Sequence, residues 1–148
     1  VLPERLDTFH PAMTLAQTLV DATDPINYAP YWLNPVTGGN SKHVFMTEGT
    51  MDEASPAVGA DAVAAAAGIP LLNPVAEVSP AHVLRHLEPV SMPVNSNLLS
   101  SNGQVVTGAI RQFKGGDHFV ALTDPTAIQI WRGFFRAFRD KDIPTIQR

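Results

Sequence analysis

No cysteine occurs among the 148 residues, so no disulfide framework holds this chain together. The same absence fits cytosol and exterior alike. Charged residues are scarce at 16%, below the roughly 25% of ordinary soluble domains, which excludes charge-rich disorder and coiled coils. No stretch approaches the roughly 18 consecutive apolar residues of a membrane span; the longest small apolar run is Ala62 to Ala67. There is no leading Met and no basic-then-apolar signal region, so Val1 reads as an internal cut. Internal repeats and collagen-like periodicity are also missing.

What the chain does have is apolar mass and turns. It is 45% hydrophobic with 13 Pro and 10 Gly, and its mean hydropathy is +0.02. By length it is one domain, able to bury roughly two thirds of its unfolded surface. The formal net charge is −4. Residues 1–131 carry five basic and twelve acidic groups, net −7, whereas 132–148 carry Arg132, Arg136, Arg139, Lys141 and Arg148 against Asp140 and Asp142, net +3. An acidic body with one mildly basic tail does not fit a nucleic-acid binder.

Local signals predict four helices. Pro11 opens one to about Ala22, and Ser55-Pro56 announces another that runs through Ala62–Ala67 and stops at Gly68. Ser79-Pro80 opens a short one to about Leu87. Asp124 caps a C-terminal helix with Pro125 at its first position and an apolar stripe of Ala127, Ile128, Trp131, Phe134, Phe135 and Phe138. Strands are expected at 43–47 and 105–113, with 70–75 and 91–94 as weaker candidates, and 95–104 reads as a turn or exposed loop. Strand, loop, helix and a further apolar run form the grammar of a βαβ unit, so an α/β fold is expected. So few strands leave at least one sheet edge and a hydrophobic face uncovered.

Two loops carry candidate chemistry. The first follows the strand 43–47 and reads Glu48-Gly49-Thr50-Met51-Asp52-Glu53-Ala54-Ser55-Pro56; the second follows 105–113 and reads Lys114-Gly115-Gly116-Asp117-His118-Phe119. In open α/β sheets, ligands and reacting groups collect beyond the carboxyl ends of the strands. Asp52 and His118 occupy such places, 66 residues apart. On the residues alone, Asp52 also reads as a loop cap and His118 as a surface histidine in a turn. Glu48, Glu53 and Asp117 are rival carboxylates. His82 and His86 lie four apart on the short helix, the spacing of a metal-binding face, but position 83 is Val and no third ligand is evident, so two solvated histidines are the plainer expectation. Tyr28, Tyr31 and Trp32 are candidates to line an acyl pocket or to pack. Trp131, Phe134, Phe135 and Phe138 are expected in the core.

The order of these motifs resembles a family. A strand, then G-T-x-D-x-x-x-P, a helix, a Gly-rich loop ending in Asp-His-Phe and a C-terminal amphipathic helix is similar to the last part of an α/β-hydrolase. The segment Asp24-Pro25-Ile26-Asn27-Tyr28-Ala29-Pro30 resembles the stretch before the acid strand in a lipase-like bacterial subgroup. The resemblance spans roughly residues 21–139. It implies a partial α/β-hydrolase fold, the last strands of a mostly parallel sheet with flanking helices. It also implies a Ser-Asp-His triad in which Asp52 is the acid and His118 the base, carboxylic ester or lipid substrates, and no cofactor or metal. A lipase-like reading favours an extracytoplasmic setting.

The departure is the nucleophile. None of the serines at 41, 55, 79, 91, 96, 100 and 101 sits in G-x-S-x-G. The resemblance therefore places serine and oxyanion hole upstream of Val1, in the missing N-terminal half of the same enzyme, and implies that this chain alone is inactive and prone to self-association. The alternative is a non-catalytic binding or structural domain with hydrolase-like topology.

Overall fold

The computed structural model describes residues 10–36, 38–141 and 143–148. Val1 with the rest of 1–9, and Asp142 of the basic tail, lie outside the described residues. The chain is mixed α/β around a small parallel sheet. Strand β1 (Val44–Gly49) pairs in parallel with β4 (Gly108–Phe113), Val44 facing Gly108 and Glu48 facing Gln112. Leu71 and Leu72 extend the sheet beyond β4 through parallel bridges to Ile110 and Val90. On its other side β1 has no strand partner among the described residues.

The crossover is helix α3 (Ala57–Ala67). Its Ala-rich face allows close approach to the sheet: Ala64 and Ala67 pack with Ile69, Leu71, Val106 and Ile110, and against Val44 and Met46. Gly68 ends it at φ 79°, a left-handed conformation that glycine adopts without a Cβ clash, and Ile69 N–H closes the turn onto Ala64 O at 2.9 Å. The opposite face of the sheet is covered by α6 (Pro125–Lys141), whose Ile130 and Phe134 pack on Ala109, Phe45 and Leu72. Asp124 starts that helix by accepting from the Thr126 and Ala127 amides at 2.8 and 2.9 Å.

Several expectations need correction. The segment 105–113 is two strands, not one: β3 (Val105–Val106) forms a hairpin with β2 (Leu98–Leu99), inside the expected loop 95–104. The break is Thr107, whose amide turns to His43 Nδ1 at 3.0 Å and whose hydroxyl accepts from Ser96 N–H and donates to Pro144 O. The weaker strands 70–75 and 91–94 contribute only single bridges, at Leu71, Leu72 and Val94, the last to Ile146. Helix α1 (Pro11–Val20) stops two residues short of Ala22 and passes into a 3₁₀ turn, Asp21–Thr23. A second 3₁₀ turn, Pro25–Asn27, leads into the one-turn helix α2 (Pro30–Leu33). Helix α4 (Pro80–Leu84) ends before Leu87, because His86 turns to φ 52° and Leu87 N–H bonds back to His82 O.

The buried stripe of α6 is also displaced. Ala127, Ile130 and Phe134 face the sheet, while Phe135 and Phe138 are 62% and 49% exposed. Phe135 lies one step around the helix from Phe134, whereas Phe138 is in line with it one turn further on, where its ring meets His43 at 6.0 Å between centroids.

Candidate active site

The two loops meet because their strands are neighbours. Beyond β1, the Thr50 and Met51 amides donate to Phe113 O and Gly116 O at 3.1 and 2.9 Å, and the Gly115 amide returns a bond to Thr50 Oγ1 at 2.9 Å. Gly49 makes the approach possible: a Cβ there would collide with the backbone carbonyls of Gly116 and Asp117. Gly115 supports the turn at φ 72°.

This stitching brings Asp52 and His118 into contact. Asp52 Oδ2 lies 3.0 Å from His118 Nδ1. The other oxygen, Oδ1, accepts from the Ala54 and Ser55 amides at 2.9 and 2.8 Å. The backbone bond from Ser55, followed by the bonds from His118 and Ala54, holds the Asp52 carboxyl below its ordinary value of 3.8. An ionised carboxylate only accepts, so the contact places the imidazole proton on Nδ1 and leaves Nε2 as the basic nitrogen. The Asp52 side chain is 10% exposed and that of His118 48%. Among the described residues Nε2 has no hydrogen-bond partner, and Phe119 packs its edge against the ring at 5.2 Å between centroids. Helix α5 (Val120–Thr123) follows at once, held to α6 by the Trp131 indole N–H on Ala121 O at 2.9 Å.

The rival carboxylates go elsewhere. Asp117 turns back onto its own loop, accepting from the Phe119 amide at 2.9 Å. Glu53 is exposed, and Glu48 is buried on the α3 side of the sheet. His82 is neither solvated nor set for a metal: it is 2% exposed, with Nδ1 2.8 Å from Ser79 Oγ and Nε2 2.9 Å from Ile69 O. His86 lies past the end of α4 on a different backbone conformation. No group of three metal-ligating side chains occurs among the described residues.

Two openings are bordered in part by residues of the Asp52 and His118 loops. An apolar groove of about 440 Å³ runs beside the Asp52 loop, bordered by Ile26, Met46, Ser55, Pro56, Ala60 and Val63. Tyr28, Tyr31 and Trp32 are not part of it; the Tyr28 hydroxyl donates to Ala22 O at 2.6 Å and Trp32 packs on the α3 core. The groove residues escaped the sequence reading because Ile26, Met46 and Val63 come from three separate elements. On the α6 side, a cavity of about 670 Å³ is bordered by Arg111, Phe113, Gly116, Asp117 and Val120.

Compared with family models, curated protein sequences and solved structures, the chain gives no match to any of them.

Proposed function

We propose that this chain is the C-terminal part of a serine hydrolase of carboxylic esters, with a partial α/β-hydrolase fold, Asp52 as its acid and His118 as its base. The observation that carries the reading is the 3.0 Å contact between Asp52 Oδ2 and His118 Nδ1, made by two loops at the carboxyl ends of adjacent parallel strands. His118 Nε2 takes the proton of a serine hydroxyl as its oxygen bonds to the ester carbonyl carbon, then gives it to the departing alcohol. In the second half it takes a proton from water as the water oxygen bonds to the acyl carbon, then returns it to the serine oxygen as the serine–acyl bond breaks and the acid leaves. Asp52 stays ionised throughout, fixes the tautomer and stabilises the imidazolium.

The serine belongs to polypeptide outside these 148 residues. None of the serines in the sequence has the G-x-S-x-G setting, and no serine hydroxyl bonds His118 among the described residues. The unpaired side of β1 is where further strands of such a sheet would add. The apolar groove beside the Asp52 loop suits the acyl part of an ester.

The test is hydrolysis of a chromogenic short-chain ester by this chain alone and together with its natural upstream polypeptide. The reading expects no turnover alone and turnover with the upstream polypeptide that vanishes in His118→Ala. Turnover by the isolated chain, or turnover indifferent to His118→Ala, overturns it. The absent G-x-S-x-G favours a second reading, a non-catalytic domain of the same topology; the combined polypeptide would then show no ester turnover at all.

A further inference from the structure

Four side-chain atoms on the α3 side of the sheet are buried without a hydrogen-bond partner: both carboxyl oxygens of Glu48, Oδ1 of Asp61 and Nε2 of Gln112. Glu48 is 4% exposed, Asp61 6% and Gln112 3%. Alternation along β1 puts Glu48 on the same face as Val44 and Met46, toward α3, and the register sets Gln112 directly opposite it. From α3, Asp61 lies against the Glu48 carboxyl. We infer that Glu48 and Asp61 form a buried acid–carboxylate pair that shares one proton at neutral pH and fastens the end of β1 to α3, four residues before Asp52.

The atoms decide the assignment. Two ionised carboxylates in contact have acceptors only, and burying both uncompensated is costly. One proton on Glu48 gives an O–H that donates to Asp61 Oδ1. The remaining Glu48 oxygen is then the natural acceptor for Gln112 Nε2, whose own Oε1 is occupied by the Ala76 and Glu77 amides at 3.0 Å each. A single proton thus satisfies all four orphaned atoms.

No cation competes for the role. Among the described residues, no Lys or Arg makes an ion pair with either carboxyl, and Arg111 sits on the opposite face, donating to Leu72 O and Pro74 O. The other charge facing Glu48 is Glu77, from the loop after Pro74, and it is negative. Burial first, then the adjacent Asp61 charge, pushes Glu48 up to about 8. Because the folded value lies above the ordinary 4.5, the folded state holds a proton the unfolded chain has released. The stabilisation is full below 4.5 and is lost as pH rises through about 8.

The shared proton needs no catalytic role and is tested without an activity assay. Thermal and urea unfolding of the full natural polypeptide is followed against pH for wild type, Glu48→Gln and Asp61→Asn. Relative to Glu48→Gln, the wild-type folding constant is expected to fall by up to tenfold per pH unit between 4.5 and about 8, then level off. Asp61→Asn should end the same fall at a lower pH, since burial still raises Glu48 but the adjacent negative charge is gone. Infrared difference spectra of wild type against Glu48→Gln should show a protonated carboxylic acid at neutral pH. Parallel pH curves, a fall that still runs to about 8 in Asp61→Asn, or a missing acid band would each overturn the shared proton.

Discussion

Thr50 and Gly115 are joined across the ends of β1 and β4 by a 2.9 Å bond from the glycine amide to the threonine hydroxyl. That bond ties the loop bearing Asp52 to the loop bearing His118. The 3.0 Å contact between the two side chains is thus a product of strand register, with Glu48 facing Gln112 and Gly49 facing Phe113. Perturbing the register should therefore perturb the pair.

Gly49→Ala tests this most simply. The new Cβ would press on the Gly116 and Asp117 carbonyls, which are backbone and cannot swing away. We expect a loss of about 1–3 kcal/mol in urea unfolding and a separated Asp52–His118 pair by histidine NMR. Unchanged stability with an unchanged His118 resonance would show that the loops are joined some other way.

The depressed carboxyl of Asp52 predicts an acid limb. Its folded value lies below 3.8, so its stabilisation is present above 3.8 and drains as pH falls through the lower value. Asp52→Asn keeps an oxygen for the Ala54 and Ser55 amides but cannot titrate. Its acid-unfolding profile, followed by circular dichroism, should be shallower than that of wild type; identical profiles would contradict the assignment.

His82 is predicted to be structural. His82→Ala strands the Ile69 carbonyl and the Ser79 hydroxyl in the core and leaves a cavity. The expected cost is about 2–3 kcal/mol, read by denaturant unfolding, whereas added zinc should leave the wild-type melting temperature where it is.

The surface predicts association. Helix α1 has no buried residue, and its Leu15 and Leu19 are 69% and 83% exposed. Leu15→Lys with Leu19→Lys should shift the chain toward monomer in sedimentation, with a stability change within about 0.5 kcal/mol. A sharp wild-type monomer at high concentration would remove the premise.

Much of this layout is legible in the residues themselves. Asp124-Pro125 and Gly68 mark helix ends through local chemistry, and the loop after β1 is bounded by strand and helix signals on both sides. The hairpin at Leu98 and Val106 was not legible, because Thr107 breaks the strand by bonding to His43, Ser96 and Pro144, which are remote in sequence. The burial of Glu48 was accessible: a period of two from Val44 and Met46 already directs it to the core face. The exposure of Phe135 was not, since helical periodicity defines a stripe but not which edge of it meets the sheet.

In the proposed function, Asp52 and His118 act as one catalytic unit on an ester. The most direct measurement is kcat/KM for a chromogenic ester in the full natural polypeptide carrying His118→Ala, Asp52→Asn or both. Losses of about 10⁴-fold for Asp52→Asn and about 10⁶-fold for His118→Ala are expected, with the pair losing little more than His118→Ala alone, as befits residues that work together. A single variant that stays within about tenfold of wild type, or losses that multiply in the double variant, would contradict the proposed function.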